Sequence, residues 1–332
     1  MSCLAIADNA YFAQHATFPG INGTLTAPET PWILYGGSLA GAQTAFSLVT
    51  YGDILYAGIA SSGTIKAKLA YSEWYAPIQK FGPSDCIASI NAIIDKMDYL
   101  VLTHNEAAIK ELKIIFGLEA LSDNRDFAQT IAFPLGGPMN YPTNTWQELN
   151  WAPGFGSDDF WHFCSNVSNI DSPEDITSAD YTLAKYTNGE PWTNLGNYAH
   201  YVKQVVVPLC ESGELDSSAC FGTQNVTPQL ETYEKYGGYN LKADRLALID
   251  GNTDVWLDLC YHSNDAPPRF SSDLHPEYLI APGGHHWDSY GILNVSAEPQ
   301  FMQQAHLWEI RTVKKWLASS KSTFIAVRST WN

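Results

Sequence analysis

Basic residues are scarce in this sequence. Lys and Arg number 18 against 35 Asp and Glu, a formal charge of −17, and they form no runs. A nucleic-acid partner requires clustered cations to displace the counterions of the phosphates, so that class is excluded. Long apolar runs are lacking as well. None reaches the roughly 18 residues of a membrane-spanning helix, so no membrane partner is expected. Residues 1–14 lack the basic start and apolar block of an export signal, and Asp8 interrupts what apolar character they have. Internal repeats and low-complexity tracts are missing too. What the chain does have is 45% hydrophobic and 13% aromatic residues, enough to bury a sizeable core. Its 332 residues suit two domains, or one large α/β domain carrying an inserted cap.

Six cysteines, Cys3, Cys86, Cys164, Cys210, Cys220 and Cys260, are spaced neither for a zinc site nor as a redox Cys-x-x-Cys pair. Disulfides are the better reading, with Cys210–Cys220 the one pairing that closeness in sequence suggests; buried free thiols are the alternative. Four Asn-x-Ser/Thr sequons, at Asn22, Asn166, Asn225 and Asn294, are about as many as chance supplies. They agree with an extracellular setting, as does the acidic balance.

Residues 31–62 read as strand, tight turn, helix, strand. Trp32 to Tyr35 is an apolar run of the buried parallel type, Gly36-Gly37-Ser38 turns, and Leu39, Ala42, Phe46 and Val49 fall on one helical face before Gly52. Ile54 to Ala60 supplies the second strand, completing a βαβ unit. From about 72 to 236 the periods become helical and the strand–helix alternation stops, as in an insertion. Strand character returns at Leu246–Ile249 and Tyr278–Ala281. A closing helix then places Ala305, Trp308, Ile310, Val313 and Leu317 in one apolar stripe. The fold class read from this order is α/β, in three segments: 1–71, a cap at 72–236, and 237–332.

Ser38, Asp254 and His285 each follow a strand. In an open parallel sheet the C-terminal strand ends share one edge, so the three converge in the chain order nucleophile, acid, base of the α/β-hydrolases. Ser38 stands in Gly36-Gly37-Ser38-Leu39-Ala40-Gly41, with Ala40 where the G-x-S-x-G elbow has glycine and Gly41 one place later. The N–H of Leu39, at the start of a helix, would stabilise an oxyanion. A plain helix N-cap is the competing reading of Ser38. His285 would be the base and Asp254 the acid that orients it. The competing reading of this region is a metal site of His285, His286, Asp288 and His262; neighbouring histidines on one loop rarely face one ion, so no metal or cofactor is expected.

These motifs resemble the prolyl carboxypeptidase, dipeptidyl peptidase II and thymus-specific serine protease family, its fungal members most closely. The family's Gly-Gly-Ser-x-x-Gly is matched by Gly36 to Gly41, its Asn-Gly-x-x-Asp-x-Trp is similar to Asp250 to Trp256, and its Gly-x-His-His-x-Asp is matched by Gly283 to Asp288. The resemblance implies an α/β-hydrolase fold with a helical cap between the elbow half and the Asp/His half, and it assigns the base to the first histidine, His285. It implies secretion, or a vacuolar or lysosomal-like location, and cleavage of peptides beside proline, with Trp256 as a wall of the proline pocket. Compared with the family, this chain has only 37 residues before the elbow serine, which implies that N-terminal sheet strands are missing. The family's Trp-x-Tyr-Gln stretch is not found between Cys220 and Lys242. Two other readings stay open: an esterase or lipase using the same triad, and a shortened, non-catalytic chain that serves in binding.

Overall fold

The computed structural model describes residues 3–21, 23–136, 146–208 and 230–320. Its sheet is four-stranded and wholly parallel, in the order β1 (Ile33–Gly37), β2 (Ala57–Ser61), β3 (Leu246–Gly251), β4 (Glu277–Ile280). The α/β class is therefore as read from the sequence. β2 and β3 are buried at every position, which is why their stretches read as continuous apolar runs with no alternation.

Helix α2 (Leu39–Tyr51) connects β1 to β2 and buries Gly41, Ala42, Thr44, Ala45, Phe46, Ser47 and Leu48. The apolar period alone suggested a face running through Leu39 and Val49, but these are exposed. The buried face is instead centred on Ala45 and still includes Ala42 and Phe46, and small residues let it lie close to the sheet: a Cβ on Gly58 of β2 would come within 2.8 Å of Thr44. Helix α1 (Cys3–His15) packs on α2, with Ile6, Ala10 and Ala13 buried and Asn9 Nδ2 donating to Ser47 Oγ at 3.2 Å.

Two compact units divide the chain, residues 1–71 with 228–332, and residues 72–227. The first has the sheet. Its core joins Ile6, Phe46, Ile65, Leu246 and Tyr261, and Tyr236 stacks on Phe46 at 4.3 Å between ring centroids, which assigns the residues just after 230 to this unit. Among its described residues the second unit has helices and turns but no strand, and its longest helix runs Ser84–Leu102. Cys86 of that helix is bonded to Cys164 of the helix Asp159–Val167. Cys260 in the first unit is a buried free thiol, so the reading of all cysteines as bridged fails there: its apolar site beside Asp250, Asp254 and Asp258 disfavours the thiolate. Cys210 and Cys220 lie outside the described residues.

The terminal helix Gln300–Ala318 buries Met302, Ala305, Glu309 and Trp316. Its apolar stripe misplaced this face, since Ile310 is 48% exposed. Polar contacts set the rotation: Trp316 Nε1 donates to Asp273 O at 2.8 Å, and Glu309 turns inward to Asp288.

Candidate active site

Ser38 occupies the single residue between β1 and α2, at φ 58° and ψ −125°. A residue with a Cβ is strained there by about 1–3 kcal/mol, a cost that an ordinary turn would avoid by using glycine. Its side chain makes no capping bond to the helix, so the N-cap reading does not hold. The elbow is held from outside: Ser38 N–H donates to Ser61 O at 2.9 Å. The flanking glycines have no room for a side chain. A Cβ on Gly36 would lie 2.2 Å from Ala40 O, and one on Gly41 would lie 2.6 Å from Ser61 O. Glycine is therefore needed at 41, whereas Ala40 is exposed and has room for its methyl group. Leu39, the first residue of α2, has its amide ahead of the bond from Ala42 N–H to Ser38 O at 3.1 Å, so that amide has no partner within its own helix.

The loops of Asp254 and His285 meet beyond β3 and β4. His285 Nδ1 lies 2.9 Å from Asp254 Oδ2, and both residues are buried. Asp254 Oδ1 accepts from Trp256 N–H at 2.9 Å, and the Ser62 hydroxyl donates to the same carboxylate. Burial pushes the Asp254 carboxyl up, but the His285 ring, the Trp256 amide and Ser62 outweigh it and hold the group below its ordinary value. With Nδ1 committed to Asp254, His285 Nε2 is left buried and without a hydrogen-bond partner among the described residues. That is the nitrogen a general base must offer. The base loop also reaches the elbow, because a Cβ on Gly37 would lie 3.1 Å from His286 Cγ.

His286 is in the left-handed region at φ 39°, its N–H donates to Ser62 Oγ at 2.9 Å and its Nδ1 is 2.8 Å from Ser289 Oγ. Burial and the neighbouring His285 push its pKa down to about 4, so it stays neutral near pH 7. Asp288 turns to Ser61 and Tyr35, and His262 Nδ1 to Asp250 at 2.7 Å. No group of three or more His, Cys, Asp or Glu among the described residues could hold a metal, and the four side chains of the competing metal reading have separate partners.

Trp256 is partly exposed beside the base, 6.4 Å from the His285 ring and stacked on Tyr71 at 6.1 Å. Of the sequons, Asn294 is in an exposed turn, Asn166 is on a helix with Nδ2 donating to His162 O at 2.9 Å, and Asn22 and Asn225 fall outside the described residues. Sequence reasoning missed Ser62, Tyr35 and Glu309. Only Glu309 left a signal, a carboxylate in step with the buried positions 302, 305 and 316.

The family model described as "Serine carboxypeptidase S28" matches residues 1–219. The "Probable extracellular serine carboxypeptidase" of Arthroderma benhamiae is 28% identical, over 94% of this chain and 53% of its own length. "Serine protease vicPb" of Bipolaris victoriae is 26% identical, over 68% of this chain and 40% of its own length. The chain thus spans about half the length, or less, of these two relatives. Among the described residues, no helix is long and apolar enough to cross a membrane.

Proposed function

The chain belongs to the serine carboxypeptidase S28 family, and from that footing we propose that it is a serine peptidase acting through an acyl-enzyme. Ser38 Oγ attacks the scissile carbonyl as His285 Nε2 takes its proton. The Leu39 N–H donates to the oxyanion, and His285 Nε2 returns the proton to the leaving amine. Water then enters and attacks the acyl carbonyl as His285 takes its proton; the bond to Ser38 Oγ breaks, His285 returns the proton to that oxygen, and the acid product leaves. Asp254 holds the imidazole and stabilises its cation. The observation that carries this reading is the buried Asp254–His285 pair with Nε2 left open, on the loop that touches the strained elbow.

Peptides cleaved next to proline are the substrates we infer, released by a carboxypeptidase or dipeptidyl-peptidase mode. Trp256 and Tyr71 offer two near-parallel aromatic faces beside the base, a surface suited to a rigid apolar ring. An extracellular location accords with the name of the A. benhamiae relative, and such a location would permit glycans on the sequons Asn22, Asn166 and Asn294. A fluorophosphonate tests the assignment. Covalent labelling of Ser38, lost in Ser38→Ala and Asp254→Asn, is expected; a folded chain labelled elsewhere would refute it.

A further inference from the structure

The loop that carries His285 is fastened at a second place, which the proposed proton transfers leave unused. Asp288, three residues after the base, is buried, and its carboxylate accepts from Ser61 Oγ and from the Tyr35 hydroxyl, both at 2.6 Å. These two donors belong to the strands that build the elbow. Tyr35 lies in β1, which leads into Ser38, and Ser61 ends β2 with its carbonyl on the Ser38 N–H. Glu309 of the terminal helix completes the set: its carboxyl is hydrogen-bonded to Asp288 and lies 3.4 Å from the Tyr35 oxygen. Two carboxyl groups in hydrogen-bond contact away from water need a proton between them, because two anions there would repel.

We propose that Asp288 is a positioning residue for His285 and that Glu309 latches it by carrying the shared proton, so that the base loop stays seated on β1 and β2 only while that proton is held. The assignment rests on His285 acting as the base. It is not a catalytic role, since neither carboxyl touches the reacting atoms.

The groups facing the pair favour retention of the proton far above the ordinary carboxylate range. Burial raises both acids, and the nearby Asp288 charge helps take Glu309 to about 9. From β1 comes Tyr35, whose hydroxyl is pushed further up by burial and by these two acids, so it remains a donor. β2 adds only the neutral Ser61 hydroxyl. The terminal helix adds His306, which contacts the Asp288 backbone carbonyl through Nε2 at 3.1 Å and is paired through Nδ1 with Glu298 at 2.8 Å. Within the loop itself His286 is neutral above its value of about 4. None of these is a lysine or arginine that could replace the proton.

The test compares the full chain with Glu309→Gln and Asp288→Asn by two readouts: the fluorophosphonate labelling rate of Ser38 and backbone hydrogen exchange across residues 284–290, corrected for intrinsic rates. From pH 8 to pH 10 the unaltered chain should lose about tenfold in labelling rate and in protection, the loss expected about one unit beyond the titration. Glu309→Gln keeps a neutral donor to Asp288, so both ratios should stay within about twofold. Asp288→Asn cannot accept from Ser61 and Tyr35 together, and should slow labelling about tenfold at every pH. An equal alkaline loss in Glu309→Gln, or labelling of Asp288→Asn at the unaltered rate, would overturn the proposal. If Glu309→Gln does not fold, the exchange profile of the unaltered chain decides, and protection that persists to pH 10 sinks the latch. Failure of Ser38 to label at any pH, with protection still lost at alkaline pH, would count against the peptidase reading and leave the latch standing.

Discussion

Gly251 and Gly283 lie so close that a Cβ on the first would come within 2.3 Å of the carbonyl oxygen of the second, and as near to that of Gly284. One glycine ends β3 ahead of Asp254; the other precedes His285. Thr253 reinforces the contact, its N–H and hydroxyl both donating to Gly283 O at 2.8 Å. The 2.9 Å separation of His285 from Asp254 thus depends on an approach of two backbones that tolerates no side chain. Gly251→Ala should slow Ser38 labelling by about a hundredfold, the scale of loss when reacting groups are displaced by about 1 Å. Circular dichroism would check that the fold survives. Labelling at the original rate would show that the loops adjust independently.

Asp254→Asn removes the negative charge behind the imidazole and permits the wrong tautomer of His285. A fall in kcat of about 10⁴-fold is expected, with KM little changed. Steady-state kinetics on a chromogenic proline peptide measures it. Retention of kcat within tenfold would mean that Asp254 does not orient the base.

Trp256→Ala should reduce the preference for proline over alanine by about tenfold in kcat/KM, because one wall of an apolar pocket is worth one or two kcal/mol of discrimination. Paired peptides that differ only at that residue provide the comparison. An unchanged ratio would assign Trp256 to packing against Tyr71. Cleavage of simple esters without any proline peptide would favour the esterase reading.

Stability should be greatest in mildly acidic solution, through two groups of opposite sign. His286 is lowered from 6.5 to about 4, so the unfolded chain binds the extra proton between those values and stability falls as pH drops through them. Glu309 is raised from 4.5 to about 9, so the folded chain keeps the proton and stability falls as pH rises through that span. The two slopes oppose each other between 4.5 and 6.5, the ordinary values of the two groups, leaving a plateau there. Melting temperatures across pH should show it. Glu309→Gln should remove the alkaline decline, and persistence of that decline would place its origin elsewhere.

Cys86 and Cys164 close a loop of 78 residues inside the helical unit. Replacing both with Ser should destabilise that unit by about 4 kcal/mol through the entropy restored to its unfolded chain. Limited proteolysis reads the effect as faster cleavage within residues 72–227. Equal cleavage rates would show that the unit's packing suffices without the bridge.

The strands and the order Ser38, Asp254, His285 were legible in the sequence because short apolar runs ending in glycine turns are a local pattern, and parallel strands bring their C-terminal ends to one edge whatever their separation in the chain. Glycine at 36 and 41 was legible for the same reason, since both lie within a few residues of the strained serine. The rotation of the terminal helix was not. Counting apolar residues favoured Ile310, while a contact with Asp288, 21 positions earlier in the chain, turned Glu309 inward. Cys260 stayed unpaired and Cys86 found Cys164 because bridging depends on which thiols the packed core brings together. Ser62 and Tyr35 carried no mark as isolated letters. A hydroxyl becomes part of a site only when folding removes water and leaves a carboxylate as its partner, a condition set by tertiary structure alone.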